Sequence, residues 1–186
     1  MKRIFLLITL TIIISGCILI ETEKQVETTK TYNNPVIEYE KGDTMRLTSE
    51  DFREGGIIPA RYTCQGQNIN PQLSWENAPE ETKSFALIVD DPDAPAGTWV
   101  HWLVKDIPAD KKEIPENSIP GTQVINSFGK EDYGGPCPPS GTHRYFFKLY
   151  ALGTESFEAA NRTDFYKKVE ENKIAESQIM GRYQKS

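Results

Sequence analysis

Proline and glycine divide this chain into short segments, a pattern that disfavours any fold built on long helices. Its 186 residues include 12 prolines and 13 glycines, and the apolar runs between them have the period of strands. Ser84 to Asp91 is a short, partly β-branched apolar run that stops at Pro92, which reads as a buried strand. Residues 98–108 alternate, so Trp99, His101 and Leu103 are expected on one face and Val100, Trp102 and Val104 on the other. Residues 143–152 alternate too, with His143, Tyr145, Phe147 and Leu149 sharing a face. Residues 45–49 and 72–77 read as further strands. Only residues 163–183 change period: Thr163 or Asp164 is a candidate N-cap, followed by Phe165, Val169 and Ile174 in loose helical spacing. A β-sandwich with one or two late helices is the expected class.

The first residues carry a different message. Met1-Lys2-Arg3 is a short basic stretch, followed by an apolar run from Ile4 to Ile14 and then by Ser15-Gly16-Cys17. That order is the grammar of an export signal, and Ser-Gly-Cys after an aliphatic residue is what a lipoprotein signal peptidase reads. Residues 1–16 are therefore expected to be removed and Cys17 lipidated, which holds the protein at the outer face of the cell membrane. The alternative is an uncleaved anchor, Ile4 to Ile20, at the lower edge of a bilayer-spanning length. Residues 17–41 are mostly Glu, Thr, Lys, Asn and Gln, too polar to offset their ordering entropy, and are expected to form a flexible tether. Residues 42–186 then make one domain, without internal repeats. Its charge excludes a common class of partner. The net charge of −6 becomes −8 once Lys2 and Arg3 leave with the signal, and no Lys/Arg cluster offers the basic face that nucleic acid needs.

Both histidines of the chain lie in Pro/Gly-rich, aromatic-flanked segments, residues 91–102 and 133–145. Asp91 ends a buried strand and shares a face with Phe85, Leu87 and Val89. A carboxylate there must be hydrogen-bonded or belong to a pocket, because an unpaired buried one is very costly. Pro92 and Pro95 fix the turn that follows by locking φ. Taken singly, His101 and His143 each read as ordinary structural residues. Two histidines, each beside a rigid turn and an aromatic ring, instead suggest one pocket. Glycine turns let backbone N–H groups approach a ligand closely, while imidazoles and a tyrosine supply donors. Such a set suits an anion, a phosphate or a phosphorylated head group, better than covalent chemistry.

The motifs "DPDAP", "WVHWLV" and "GPCPPSGTHRYFF", with "IPARYTCQGQNINPQLSW" and "IMGRY", resemble the signature regions of the phosphatidylethanolamine-binding protein family, in its bacterial and archaeal Raf-kinase-inhibitor-like branch. The resemblance spans residues 45–183. It implies a compact fold of two antiparallel sheets with small helices, and a pocket for phosphate-bearing ligands formed by Asp91, Trp99, His101, Pro138, His143 and Tyr145. One departure is that eukaryotic members carry a longer insertion where this chain has only Ala96-Gly97-Thr98, so inferences about kinase or lipid partners do not carry over.

Other constellations are open to the same residues. Asp91, His101 and His143 form a two-histidine, one-carboxylate set of the kind that binds metals, although the resemblance implies an anion pocket and no metal or other cofactor. A Cys137–His143 dyad would suit hydrolysis, but Cys137 lies between two prolines and no protease signature accompanies it. With Cys17 lipidated, Cys64 and Cys137 make an even pair in an oxidising compartment, and geometry decides whether they bond. Ser140 has no G-x-S-x-G context and reads as a turn residue. Asn161-Arg162-Thr163 matches a glycosylation sequon. The expected function is a non-catalytic, surface-anchored binder of small anionic or phosphorylated ligands. The alternative is an inhibitor of an extracytoplasmic peptidase or another protein partner, acting through surface loops.

Overall fold

The computed structural model describes residues 44–186, and its centre is a strand that the sequence makes apolar on both faces. β4 (Ser84–Asp91) is buried along its whole length. It pairs antiparallel with β5 (Trp99–Pro108) on one side and β8 (Thr142–Leu152) on the other. β8 pairs in turn with the long β9 (Lys173–Gln184), and two short strands, β2 (Gly56–Ile57) and β7 (Thr122–Gln123), close the edges. The resulting six-stranded sheet has the order β2-β9-β8-β4-β5-β7. A second sheet, β1-β3-β6, is built from β1 (Arg46–Thr48), β3 (Leu73–Glu76) and β6 (Glu113–Ile114).

Strand alternation gives each face of the large sheet its own core. On one face Phe85, Leu87, Val89, Tyr145, Phe147 and Leu149 pack with Leu47, Leu73, Trp75 and Ile114 of the small sheet. On the other, Ala86, Ile88, Leu103 and Leu152 pack with Phe157 and with Phe165 and Val169 of the helix α1 (Arg162–Asn172). Removing a fully buried ring such as Phe147 would cost about 3–5 kcal/mol. The mainly β architecture with two packed sheets is therefore the one expected from the period-two pattern. The expected signal, tether and lipidated Cys17 lie outside the described residues.

Three local expectations are corrected. The helix is capped by Asn161, whose Oδ1 accepts the Asp164 N–H at 3.0 Å, rather than by Thr163 or Asp164. It ends at Asn172, and residues 173–183, read with it as one helical stretch, instead form β9 together with Gln184. Eleven cross-strand pairs with β8, from Leu152↔Lys173 to Thr142↔Gln184, override the helix-favouring composition of that stretch. The alternation expected along β5 is also broken. Val89 faces Trp102 while Asp90 faces Val100, so His101 is the extra residue of a bulge. Past the bulge the phase is reset: Trp102 and Val104 pack toward the small sheet, whereas Val100 joins Leu103 on the helix side.

Candidate functional site

Asp91 closes β4 and is only 4% exposed. Its Oδ1 accepts the Asp93 N–H at 2.8 Å, which shapes the proline turn, and its Oδ2 lies 2.7 Å from His143 Nδ1. Asp93, two residues on, receives Arg144 in a fork: Nε donates to Oδ2 at 2.9 Å and Nη2 to Oδ1 at 2.7 Å. The Arg144 guanidinium bonded to Asp93 holds that carboxyl down to about 2. Alternate residues of the turn thus dock on neighbouring residues of β8, and the geometry is fixed from both ends.

The bulge aims His101 away from the run of its strand. Its Nδ1 lies 2.6 Å from the Gly134 carbonyl, and Gly134 N–H donates back to the His101 carbonyl at 3.0 Å. A carbonyl oxygen only accepts, so Nδ1 carries the proton and Nε2 of the neutral ring is left as an acceptor. Burial, the largest influence on this ring, pushes its pKa down. His101 is consequently an acceptor at neutral pH, not the donor that an anion site would first suggest. Its ring meets Tyr145 edge-on, with centroids 5.2 Å apart.

Tyr145 is the least expected member in its environment. Its side chain is fully buried, and its hydroxyl, near the Asp91 carboxylate and the Cys137 backbone, makes no hydrogen bond of ordinary geometry to the described residues. Burial, followed by the charge of nearby Asp91, pushes the phenol far above its ordinary pKa, so it keeps its proton as a donor. Trp99 and Pro138 are placed less directly. Trp99 is half-buried and reaches His101 through Phe128, whose ring centroid is 5.4 Å from Trp99 and 5.3 Å from His101. Pro138 is buried on the segment that supplies the Gly134 carbonyl.

That segment is tied down by the Cys64–Cys137 disulfide, with Cα atoms 5.4 Å apart. The bond consumes Cys137 and removes the Cys137–His143 dyad from consideration, because a disulfide sulfur is not a thiolate nucleophile. Among the described residues no group of three His, Cys, Asp or Glu side chains is arranged to hold a metal ion. Asp91, His101 and His143 are thus near one another without converging as a ligand set. Each imidazole uses Nδ1 for the protein and leaves Nε2 for something else. The sequence reading missed the Gly134 carbonyl, Arg144 and Phe128. Only Arg144, next to His143 and therefore on the opposite side of the strand end, left a signal that could have been followed. A cavity of about 540 Å³ between Lys105, Ile125, Glu131 and Arg162 is lined by none of the site residues.

Comparison with known proteins matches the chain to a family. The family model for phosphatidylethanolamine-binding protein matches residues 48–184. A UPF0098 protein of Aquifex aeolicus is 46% identical over 155 residues, 77% of this chain and 91% of that protein. Another from Methanothermobacter thermautotrophicus is 44% identical over 150 residues, 76% of this chain and 99% of its own length. Among solved structures, a putative phosphatidylethanolamine-binding protein homologue from Chlamydia trachomatis superposes with a TM-score of 0.74 at 36% identity, over 78% of this chain and 100% of that one. E. coli YBCL gives a TM-score of 0.71 at 33% identity, over 76% and 99% respectively.

Proposed function

The chain belongs to the phosphatidylethanolamine-binding protein family, and from that premise we propose that it is a non-catalytic protein, anchored at the outer face of the cell membrane, whose pocket takes a small anionic or phosphorylated ligand. One observation carries the ligand: the Tyr145 hydroxyl, buried and unpartnered beside the Asp91–His143 pair. Leaving such a donor unsatisfied costs about 1–3 kcal/mol, an expense that an anionic oxygen in the site would remove. The two Nε2 atoms extend the set. The neutral rings accept from a ligand hydroxyl or ammonium, and a protonated ring donates to an anionic oxygen.

The non-catalytic part rests on what the pair lacks. Asp91 and His143 resemble an orienting acid and its base. With Cys137 in a disulfide, however, no nucleophile is hydrogen-bonded to either imidazole among the described residues. The anchor rests on the Ser15-Gly16-Cys17 signal. Native mass spectrometry of protein purified from its own membrane should find a co-purifying small anion and an intact mass that begins at a lipidated Cys17. An empty protein in repeated preparations would count against the ligand. A mass that retains residues 1–16 would count against the anchor.

Inhibition of an extracytoplasmic peptidase is a second reading, favoured by the exposure of Ile119 (72%) and Ile125 (53%) on the outer loops. It differs in one respect: inhibition through those loops would survive His143→Ala.

A further inference from the structure

The polar cluster is closed off in the structure. Tyr145 is 0%, His101 3%, Asp91 4% and His143 7% exposed, so a ligand reaches the phenol only if a covering group moves. The covering groups are held very unequally. The segment around Gly134 cannot move cheaply: Tyr133 Oη donates to the Tyr62 carbonyl at 3.0 Å, Gly135 N–H to Asn68 Oδ1 at 2.8 Å and Cys64 N–H to the Pro136 carbonyl at 3.1 Å, beside the disulfide. The Asp91 turn is pinned by Arg144.

Phe128 is different. It sits at the tip of a turn whose base is held by Asn126. Asn126 Oδ1 accepts from Phe128 N–H at 2.9 Å and Lys130 N–H at 3.1 Å, while its Nδ2 donates to the His101 and Asp132 carbonyls. The backbone is therefore fixed, but the ring is 43% exposed. Its aromatic contacts are edge-on, to Trp99 and His101, and it packs against Gly134, where a Cβ would come within 2.4 Å of the ring. The same ring lines a cavity of about 280 Å³, together with Lys130, Asp132, Gly134, Gly135 and Cys137. One part of Phe128 thus covers His101 and another faces a surface cavity lined by both Lys130 and Asp132.

We propose that Phe128 is the gate and size filter of the anion pocket: its ring swings off His101 and Gly134, joins the outer cavity to the buried polar cluster, and so decides which ligands reach it. The proposal rests on the anion-binding reading above. Rotamer changes of exposed side chains take picoseconds to nanoseconds, so the swing itself is no barrier. Discrimination comes from whether the ring can return. A bare tetrahedral anion lets it close again. An anion carrying a bulky substituent holds it open and forfeits its edge contacts with Trp99 and His101 for as long as the ligand stays.

The test is calorimetry of sulfate and of phenyl phosphate with the full-length wild type, Phe128→Ala and Phe128→Trp, each first shown to melt cooperatively. Phe128→Ala should bind phenyl phosphate about tenfold more tightly, equal to ~1.4 kcal/mol, and sulfate within a factor of about two of wild type. Phe128→Trp should weaken phenyl phosphate and leave sulfate nearly unchanged. If Phe128→Ala weakens phenyl phosphate, the ring is a fixed wall that ligands stack on, and the gate is refuted. If it changes neither ligand while sulfate still binds, Phe128 is off the path, and the gate fails although the pocket stands. If sulfate binds none of the three proteins, the gate falls together with the pocket.

Discussion

Asp90 and Asp91 are neighbours on one strand, both almost wholly buried, yet they serve opposite faces of the sheet in opposite ways. Asp90 is 2% exposed and faces the helix side, where Lys148 Nζ meets its Oδ2 at 2.7 Å. Burial pushes its pKa up against that lysine, and its Oδ1 has no partner among the described residues. Asp91 is 4% exposed and faces the small sheet, where it meets an imidazole, a proline turn and a phenol with an unused proton. A buried carboxylate therefore does not by itself mark a site. The difference lies in what surrounds it: a full counter-charge beside one unpaired oxygen on one face, and on the other an imidazole, a fixed turn and a buried phenol without a counter-charge.

If the Asp91 face is shaped for a ligand and the Asp90 face for stability, perturbations should divide accordingly. The largest effect should come from the bond that holds the ligand face. Replacing Cys64 and Cys137 by serine opens a loop with a sequence separation of 73, which should cost about 4 kcal/mol on the chain-entropy account. Because the bond holds the Gly134 segment, anion binding should weaken as well. Urea unfolding with and without a reductant measures the first, and calorimetry the second. Lys148→Ala should come next. It strands the Asp90 carboxylate in a site only 3% exposed while the lysine is itself 29% exposed, so a loss near the lower end of the range for a broken buried pair, about 3 kcal/mol, is expected. Sulfate binding should be untouched, and a matching loss of binding would erase the distinction between the faces.

A gentler probe is pH. Burial lowers the folded-state pKa of His101 below its unfolded value of about 6.5. The unfolded chain then takes up the proton first, so this contribution is complete above pH ~6.5 and declines as pH falls through that value. Urea midpoints between pH 7.5 and 5.5 should show the decline, and His101→Gln should flatten it. The smallest effect should belong to the rim. Arg144 is half-exposed, and Arg144→Ala should cost less than ~1 kcal/mol of stability at neutral pH, measurable as a small shift in thermal midpoint.

The strands of the large sheet were legible because their apolar faces are continuous: Ser84 to Asp91, and Tyr145 with Phe147 and Leu149, sort as their period requires. The candidate residues Asp91, His101, His143 and Tyr145 stood out for a related reason, since polar groups are conspicuous on otherwise apolar faces, and the structure brings them near one another. β9 was missed although Ala175, Ser177, Ile179, Gly181 and Tyr183 do alternate with exposed or half-buried residues. Only the last three are well buried, and the helix before it runs straight into the strand without a Gly or Pro stop. The bulge at His101 was missed because register depends on the partner strand, which local periodicity does not contain. Phe128 escaped for the same reason: nothing near Ser127 and Gly129 announces that a loop ring will lie over a histidine 27 residues away in sequence.

The central claim is that the Asp91 face, and not the Asp90 face, is a pocket for an anion. Sulfate titration by calorimetry near neutral pH of wild type, Asp91→Ala, His143→Ala and Asp90→Asn tests it directly, with no change of ligand charge to confuse the result. Weak binding to wild type is predicted, with a loss of about tenfold or more in His143→Ala, the scale of a lost charge-assisted hydrogen bond, and a clear loss in Asp91→Ala, whose carboxylate acts only by orienting the His143 imidazole. Asp90→Asn should bind as wild type does, and a Zn²⁺ chelator should change nothing. Unchanged binding in both Asp91→Ala and His143→Ala would contradict the account.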